Sequence, residues 1–77
     1  IWVSDWNGNI ENGDLITTSP IPGIGMKQAD DLIHNYTVAK IVMDCNFQLD
    51  SKKYTCKEVM HEGKLYRMAF LGCVYQL

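Results

Sequence analysis

The sequence predicts an all-β domain, a small barrel or sandwich built from hairpins with at most one short helix. Three observations lead there. Six short segments are dense in β-branched and aromatic residues. Asn-Gly and Pro-Gly pairs punctuate the chain at short spacing, as turns between strands require. Only Gln28 to Asn35 places apolar residues at helical intervals.

Ile1 to Ser4 begins as a strand, and Asp5-Trp6-Asn7-Gly8-Asn9 supplies an Asn-Gly reversal whose tolerance of positive φ predicts a hairpin into Ile10-Glu11. A second pair, Asn12-Gly13, precedes Asp14 to Ser19, the second strand. Pro20 and Pro22 then withhold backbone donors, and Pro22-Gly23 suits the central positions of a type II turn. The ladder must stop there. Gly25 allows a close backbone approach before Met26 and Lys27 resume, so the stretch NGDLITTSPIPGIGMKQ is expected to form a strand, a rigid corner and a return strand. The tips of that corner, Ile21 and Ile24, are expected to face a core or a neighbouring chain.

Gln28 to Asn35 is the helical candidate: Ala29, Leu32 and Ile33 share a face, and Asp30-Asp31 suit the positive end of a helix dipole. Tyr36 to Phe47 returns to strand, with Asn46 to Ser51 as a loop. Lys53 to Met60 leads through His61-Glu62-Gly63-Lys64 into Leu65 to Tyr75, a long hairpin. Apolar residues occupy both parities of its second arm. Such a strand is covered on both faces, central in its sheet or sealed by another subunit.

With 77 residues, residues 1–77 are expected to make a single small β domain. The strand-like opening Ile1-Trp2-Val3 suggests the C-terminal part of a longer protein. Hydrophobic residues at 47% and charged residues at 21% suit a folded chain rather than a disordered one. A net charge of -2 with scattered lysines offers no basic face for phosphates, so no nucleic-acid partner is expected. Nor is membrane insertion expected, because no apolar run approaches the ~20 residues of a spanning helix.

Cys45, Cys56 and Cys73 are odd in number and widely spaced, which fits free thiols packed as small hydrophobes. A zinc site joining them to His34 and His61 lacks the close paired spacing of structural zinc sites, and no metal or cofactor is expected. The triplet Asn35-Tyr36-Thr37 matches a glycosylation acceptor only by a short, common pattern. Small cores without disulfides are marginal, and oligomerisation is the expected remedy.

IENGDLITTSPIPGIGMK, Ile10 to Lys27, is similar to a motif in the C-terminal regions of phage and large-virus appendage proteins, the tail or capsid fibres. The segments DDLIHNYTVAK and AFLGCVY also resemble stretches of large-virus and environmental proteins of that kind. The likeness spans most of the chain except Asn46 to Lys64. It implies a terminal β-domain of a fibre-like protein on the virion surface, with trimers common. It is specific for a family rather than for an activity. Some proteins in that position carry intramolecular chaperone domains that assist trimerisation and then cleave themselves off.

Self-cleavage needs a nucleophile with a base in reach. Ser4, Thr17, Thr18 and Ser19 offer hydroxyls, and Lys27 or Lys40 a base. Threonine in a strand is simply a good β-former, however, and a serine before proline is a turn residue. Ser4-Asp5 is similar to the serine-aspartate pair at the cut site of endosialidase-type chaperones, but the basic, helical sequence that follows that pair is absent. No catalytic residue is assigned. Asp30-Asp31, or Asp5 with Asp14, could serve acid-base chemistry or hold Ca2+, yet acids at a helix start are ordinarily solvated. Trp2, Trp6, Tyr36, Tyr54, Tyr66 and Tyr75 combine an apolar body with a polar tip. Of these, Trp6, with Asn7, is the candidate contact for a host receptor or glycan. The expected subunit interface comprises Ile21, Pro22, Ile24, Met26, Phe70 and Val74.

Overall fold

The computed structural model describes residues 1–30, 32, 34 and 37–75. The all-β expectation holds. Seven strands, β1 (Trp2–Ser4), β2 (Leu15–Thr18), β3 (Gly25–Lys27), β4 (Thr37–Ile41), β5 (Thr55–His61), β6 (Lys64–Phe70) and β7 (Cys73–Val74), form one sheet in the order β5-β6-β1-β3-β2-β4-β7. β1 and β3 run parallel and every other pair is antiparallel.

The expected barrel or sandwich is refined to a single open sheet, since its outer strands β5 and β7 do not pair. It is nevertheless coiled. β6 and β7 stand five strand positions apart, roughly 24 Å in a flat sheet. Only Leu71 and Gly72 join them, a reach of about 11 Å at most. The sheet must therefore roll until β4 comes close to the end of β6. The Val42 N–H donating to the Gly72 carbonyl at 3.1 Å marks where the roll draws together. Inside it lie Val3, Ile16, Ile41, Ala39, Ala69 and Leu71 from or beside the strands, and Ile10, Cys45 and Phe47 from the loops.

The six expected strands become seven because the last one breaks at Leu71-Gly72, its halves pairing with β1 and β4. No hairpin joins β1 to Ile10. The Asn7-Gly8 turn forms, with Gly8 at φ +97°, but Ile10 pairs with Cys45 through reciprocal 2.8 Å backbone bonds. Burying Ile10 against Phe47 outweighs local hairpin closure, worth about 2 kcal/mol for such a side chain. The strand expected from Tyr36 to Phe47 shortens to β4, with Cys45 as an isolated bridge and Tyr36 outside the described residues.

The described residues of the helical candidate, Gln28, Ala29, Asp30, Leu32 and His34, are not helical; Asp31, Ile33 and Asn35 lie outside the description. Side chains explain the difference. Gln28 N–H still serves the sheet by donating to the Leu15 carbonyl at 2.8 Å, and the Asp30 carboxylate accepts Leu32 N–H at 3.0 Å. Short polar side chains here outcompete helical backbone bonds.

The corner is as expected. Ile24 N–H donates to the Ile21 carbonyl at 3.2 Å around Pro22 and Gly23, the glycine at φ +77°. The Ser19 hydroxyl accepts Ile21 N–H at 3.1 Å and donates to the Ile24 carbonyl, locking the corner from inside. A Cβ on Gly25 would lie 2.5 Å from Ile16 Cγ2, which explains the glycine where β3 crosses β2. The accessible surface, 4958 Å2, is close to the ~4,800 Å2 of a compact monomer of this mass.

Candidate functional site

Two surfaces stand out. The first is an open groove of about 420 Å3 where the corner folds beside the start of β1, with Trp2, Ile21, Pro22, Ile24, Val38 and Tyr75 among its lining residues. It is mostly apolar because proline and isoleucine tips and a tryptophan converge there with few side-chain polar groups. Ile21 is buried beneath it and Ile24 is half-buried. Pro22 and Tyr75 stay exposed, Tyr75 at 65%. A hydrogen bond with the Cys73 thiol pushes the Tyr75 phenol above its ordinary pKa. Of the expected interface residues, Ile21, Pro22 and Ile24 thus share one groove. Phe70 sits next to it, packed on Trp2 at a centroid distance of 5.2 Å and 54% exposed. Val74, on β7 beside Tyr75, is also exposed. Met26 stands apart, lining a separate hollow with Asn7, Thr17 and Gln28.

The second surface is an aromatic track on β1 and the β5–β6 hairpin. Trp6 stacks on Tyr66 with centroids 4.5 Å apart, and His61 meets Trp6 edge-on at 6.2 Å. Lys64 Nζ stands 5.2 Å from the Tyr66 ring centroid, and Lys57 Nζ stands 5.7 Å from that of Trp2. The rings thus already hold one another and two ammonium groups. Trp6 is half-buried, and the Asn7 amide donates to the Lys27 carbonyl at 2.9 Å. The track was hidden in sequence because Lys57, Lys64 and Tyr66 converge on Trp2 and Trp6 only through the pairing of β6 with β1. Period-two alternation on the hairpin was the available signal.

The two serines among the candidate nucleophiles are engaged by backbone groups. Ser4 is fully buried and its hydroxyl accepts Trp6 N–H at 3.3 Å, while Ser19 is held in the corner. Lys27 pairs with Asp14 at 3.4 Å, and Lys40 points to solvent. The acids are separated too. Asp5 accepts Arg67 N–H at 3.1 Å, Asp14 accepts Glu11 N–H at 2.8 Å, and Asp31 is outside the described residues. Asp30 meets His34 Nε2 at 3.0 Å; the Leu32 N–H and then His34 hold its carboxyl below the ordinary range.

Among the described residues no three His, Cys, Asp or Glu side chains are placed to hold a metal. The cysteines are free, and burial pushes the Cys45 and Cys56 thiols up. Every buried side-chain nitrogen and oxygen described has a hydrogen-bond partner, so no orphan polar group points at a ligand. Among the described residues no helix is long and apolar enough to cross a membrane. Comparison with known proteins yields no relative: no family model, no curated protein and no solved structure matches the chain.

Proposed function

We propose that this domain is an assembly module, a homo-oligomeric, threefold terminal β-domain of a fibre-like virion appendage. The observation that carries the reading is the apolar groove at the Pro22 corner, lined by exposed Tyr75 and by Trp2, on which exposed Phe70 packs. Large apolar side chains gathered on one side of a small domain mark a contact surface. The virion setting rests on the resemblance of Ile10 to Lys27 to appendage proteins. The receptor or glycan reading depends on Trp6 and Asn7, both engaged within the chain, and for self-cleavage the hydroxyls of Ser4 and Ser19 are both held by backbone groups.

Light scattering after size exclusion tests the reading, on the chain alone and within the longer protein where one carries it. Particles containing three chains, or a multiple of three, support it. A single chain at all concentrations contradicts it.

A further inference from the structure

Two Asn-Gly pairs stand at exposed turns, Asn7-Gly8 and Asn12-Gly13, and the fold holds them differently. Such a pair carries a latent reaction of its own. The glycine nitrogen, with no side chain beside it to hinder the approach, can attack the amide carbon of the asparagine side chain. What decides the rate in a folded chain is how firmly each partner is held.

The two glycines are alike. Gly8 lies at φ +97° and Gly13 at φ +99°, each with open space where a Cβ would stand. Each nitrogen donates one backbone hydrogen bond, Gly8 to the Asp5 carbonyl at 2.9 Å and Gly13 to the Ile41 carbonyl at 2.8 Å. The asparagine side chains differ. The Asn7 amide donates to the Lys27 carbonyl at 2.9 Å and stands 3.7 Å from the Met26 sulfur, so it is pinned across β3. Among the described residues no hydrogen bond holds the Asn12 side chain; its main-chain N–H alone is engaged, donating to Asp44 Oδ1 at 2.7 Å. The exposed Asn12 amide is left to swing onto the Gly13 nitrogen.

We propose that Asn12-Gly13 is a self-modifying site, at which the chain cyclises on itself and the turn then loosens from β4. The Gly13 nitrogen bonds to Asn12 Cγ, the Cγ–Nδ2 bond breaks, and ammonia leaves with the Gly13 proton. A succinimide remains. Water then opens it at one of its two carbonyl–nitrogen bonds. Opening at the former side-chain carbonyl gives aspartate, and opening at the main-chain carbonyl gives isoaspartate, with the side-chain methylene now in the main chain. Water is the co-reactant, and nothing is oxidised or reduced.

The consequence follows from where the turn is tied. The Asn12 and Gly13 N–H groups bond to Asp44 and Ile41, and Ile41 N–H donates to the Asp14 carbonyl at 2.9 Å, at the end of β4. A methylene inserted between the Asn12 and Gly13 nitrogens changes their spacing, so the two bonds cannot both persist. Either product also brings a new carboxylate to a turn that holds Glu11 and Asp14 and touches the Asp44 carboxylate, adding like-charge repulsion. Neither Asn12 nor Gly13 lines the Pro22 groove, so the inference is independent of the assembly reading.

Ageing the native chain in warm, mildly alkaline buffer tests it, with a parallel sample in urea. Tandem mass spectrometry of the tryptic fragment 1–27, which carries both pairs, reads each site. The predicted result is conversion at Asn12 several-fold faster than at Asn7 in the folded chain, and rates that converge in urea, where neither side chain is held. Asn12→Gln keeps an amide and the main-chain N–H but closes its ring far more slowly. Aged native chain should therefore lose hydrogen-exchange protection at Gly13, while aged Asn12→Gln retains it. Equal rates in the folded chain, faster conversion at Asn7, or no conversion at Asn12 of the folded chain overturns the inference. Gly13 protection that survives conversion overturns the loosening.

Discussion

Trp6 lies against Tyr66 with their rings only 15° from parallel and 4.5 Å apart. One ring follows β1 and the other belongs to β6, so the contact closes a loop of 60 residues over the same face that carries His61 and Lys64. Half-buried and stacked, Trp6 acts first as a clamp on the hairpin. Trp6→Ala should lower stability by about 1–3 kcal/mol, from lost ring burial and stacking. Urea unfolding followed by circular dichroism measures it, and a change under a few tenths of a kcal/mol would show that the stack is idle.

Two glycines of the corner should fail for different reasons. Gly25→Ala drives a methyl group to 2.5 Å from Ile16 Cγ2 and 3.2 Å from the Thr17 carbonyl, an overpacking cost of about 1–3 kcal/mol. Gly23→Ala meets no atom within 4 Å but is forced to φ +77°, costing about 1 kcal/mol. Thermal melts should rank Gly25→Ala the less stable of the pair.

Ser19→Ala removes the hydroxyl that bridges Ile21 N–H and the Ile24 carbonyl. The expected loss is about 1–2 kcal/mol, with the denatured chain mass unchanged. A change in that mass would reassign Ser19 from a structural role to a chemical one.

Acid stability should depend on Asp30. Its folded pKa lies below the ordinary 3.8, chiefly through the Leu32 N–H and then His34. A lowered carboxylate stabilises the fold above its unfolded pKa, and that contribution is lost as pH falls through the folded value. Asp30→Asn should flatten the stability profile below about pH 4. The thiols work in the opposite sense. Cys45 and Cys56 have raised pKa values, so their contribution is complete below the unfolded value near 9.0 and fades as pH rises through the folded one. Denaturant titrations at matched ionic strength check both limbs.

Much of the fold was legible in local chemistry. Pro22-Gly23 announced a type II turn, Gly25 a close crossing, and Glu62-Gly63 the tip of a hairpin, because each depends on residues adjacent in sequence. The failures were non-local. Asn7-Gly8 formed its turn, yet Ile10 crossed to Cys45, since nothing near Ile10 reveals a partner 35 residues away. Leu71-Gly72 looked like continuous strand because the switch from β1 to β4 is visible only once the sheet is rolled. For the site, proline and isoleucine at the corner pointed to the groove, whereas the place of Tyr75 and Trp2 in it came from tertiary structure alone.

The groove can be tested without disturbing the core. Tyr75 is 65% exposed at its rim, so Tyr75→Asp should leave the melting temperature of the isolated fold within a few degrees while placing a charge in the proposed threefold contact. Dissociation to smaller particles in size exclusion is the expected outcome, and an unchanged elution profile would move the contact elsewhere.

The most direct test of assembly is the light-scattering mass of the native chain over a range of concentrations, with the Pro22 groove intact. Three chains per particle is the predicted result. A single chain at every concentration would contradict the threefold assembly account.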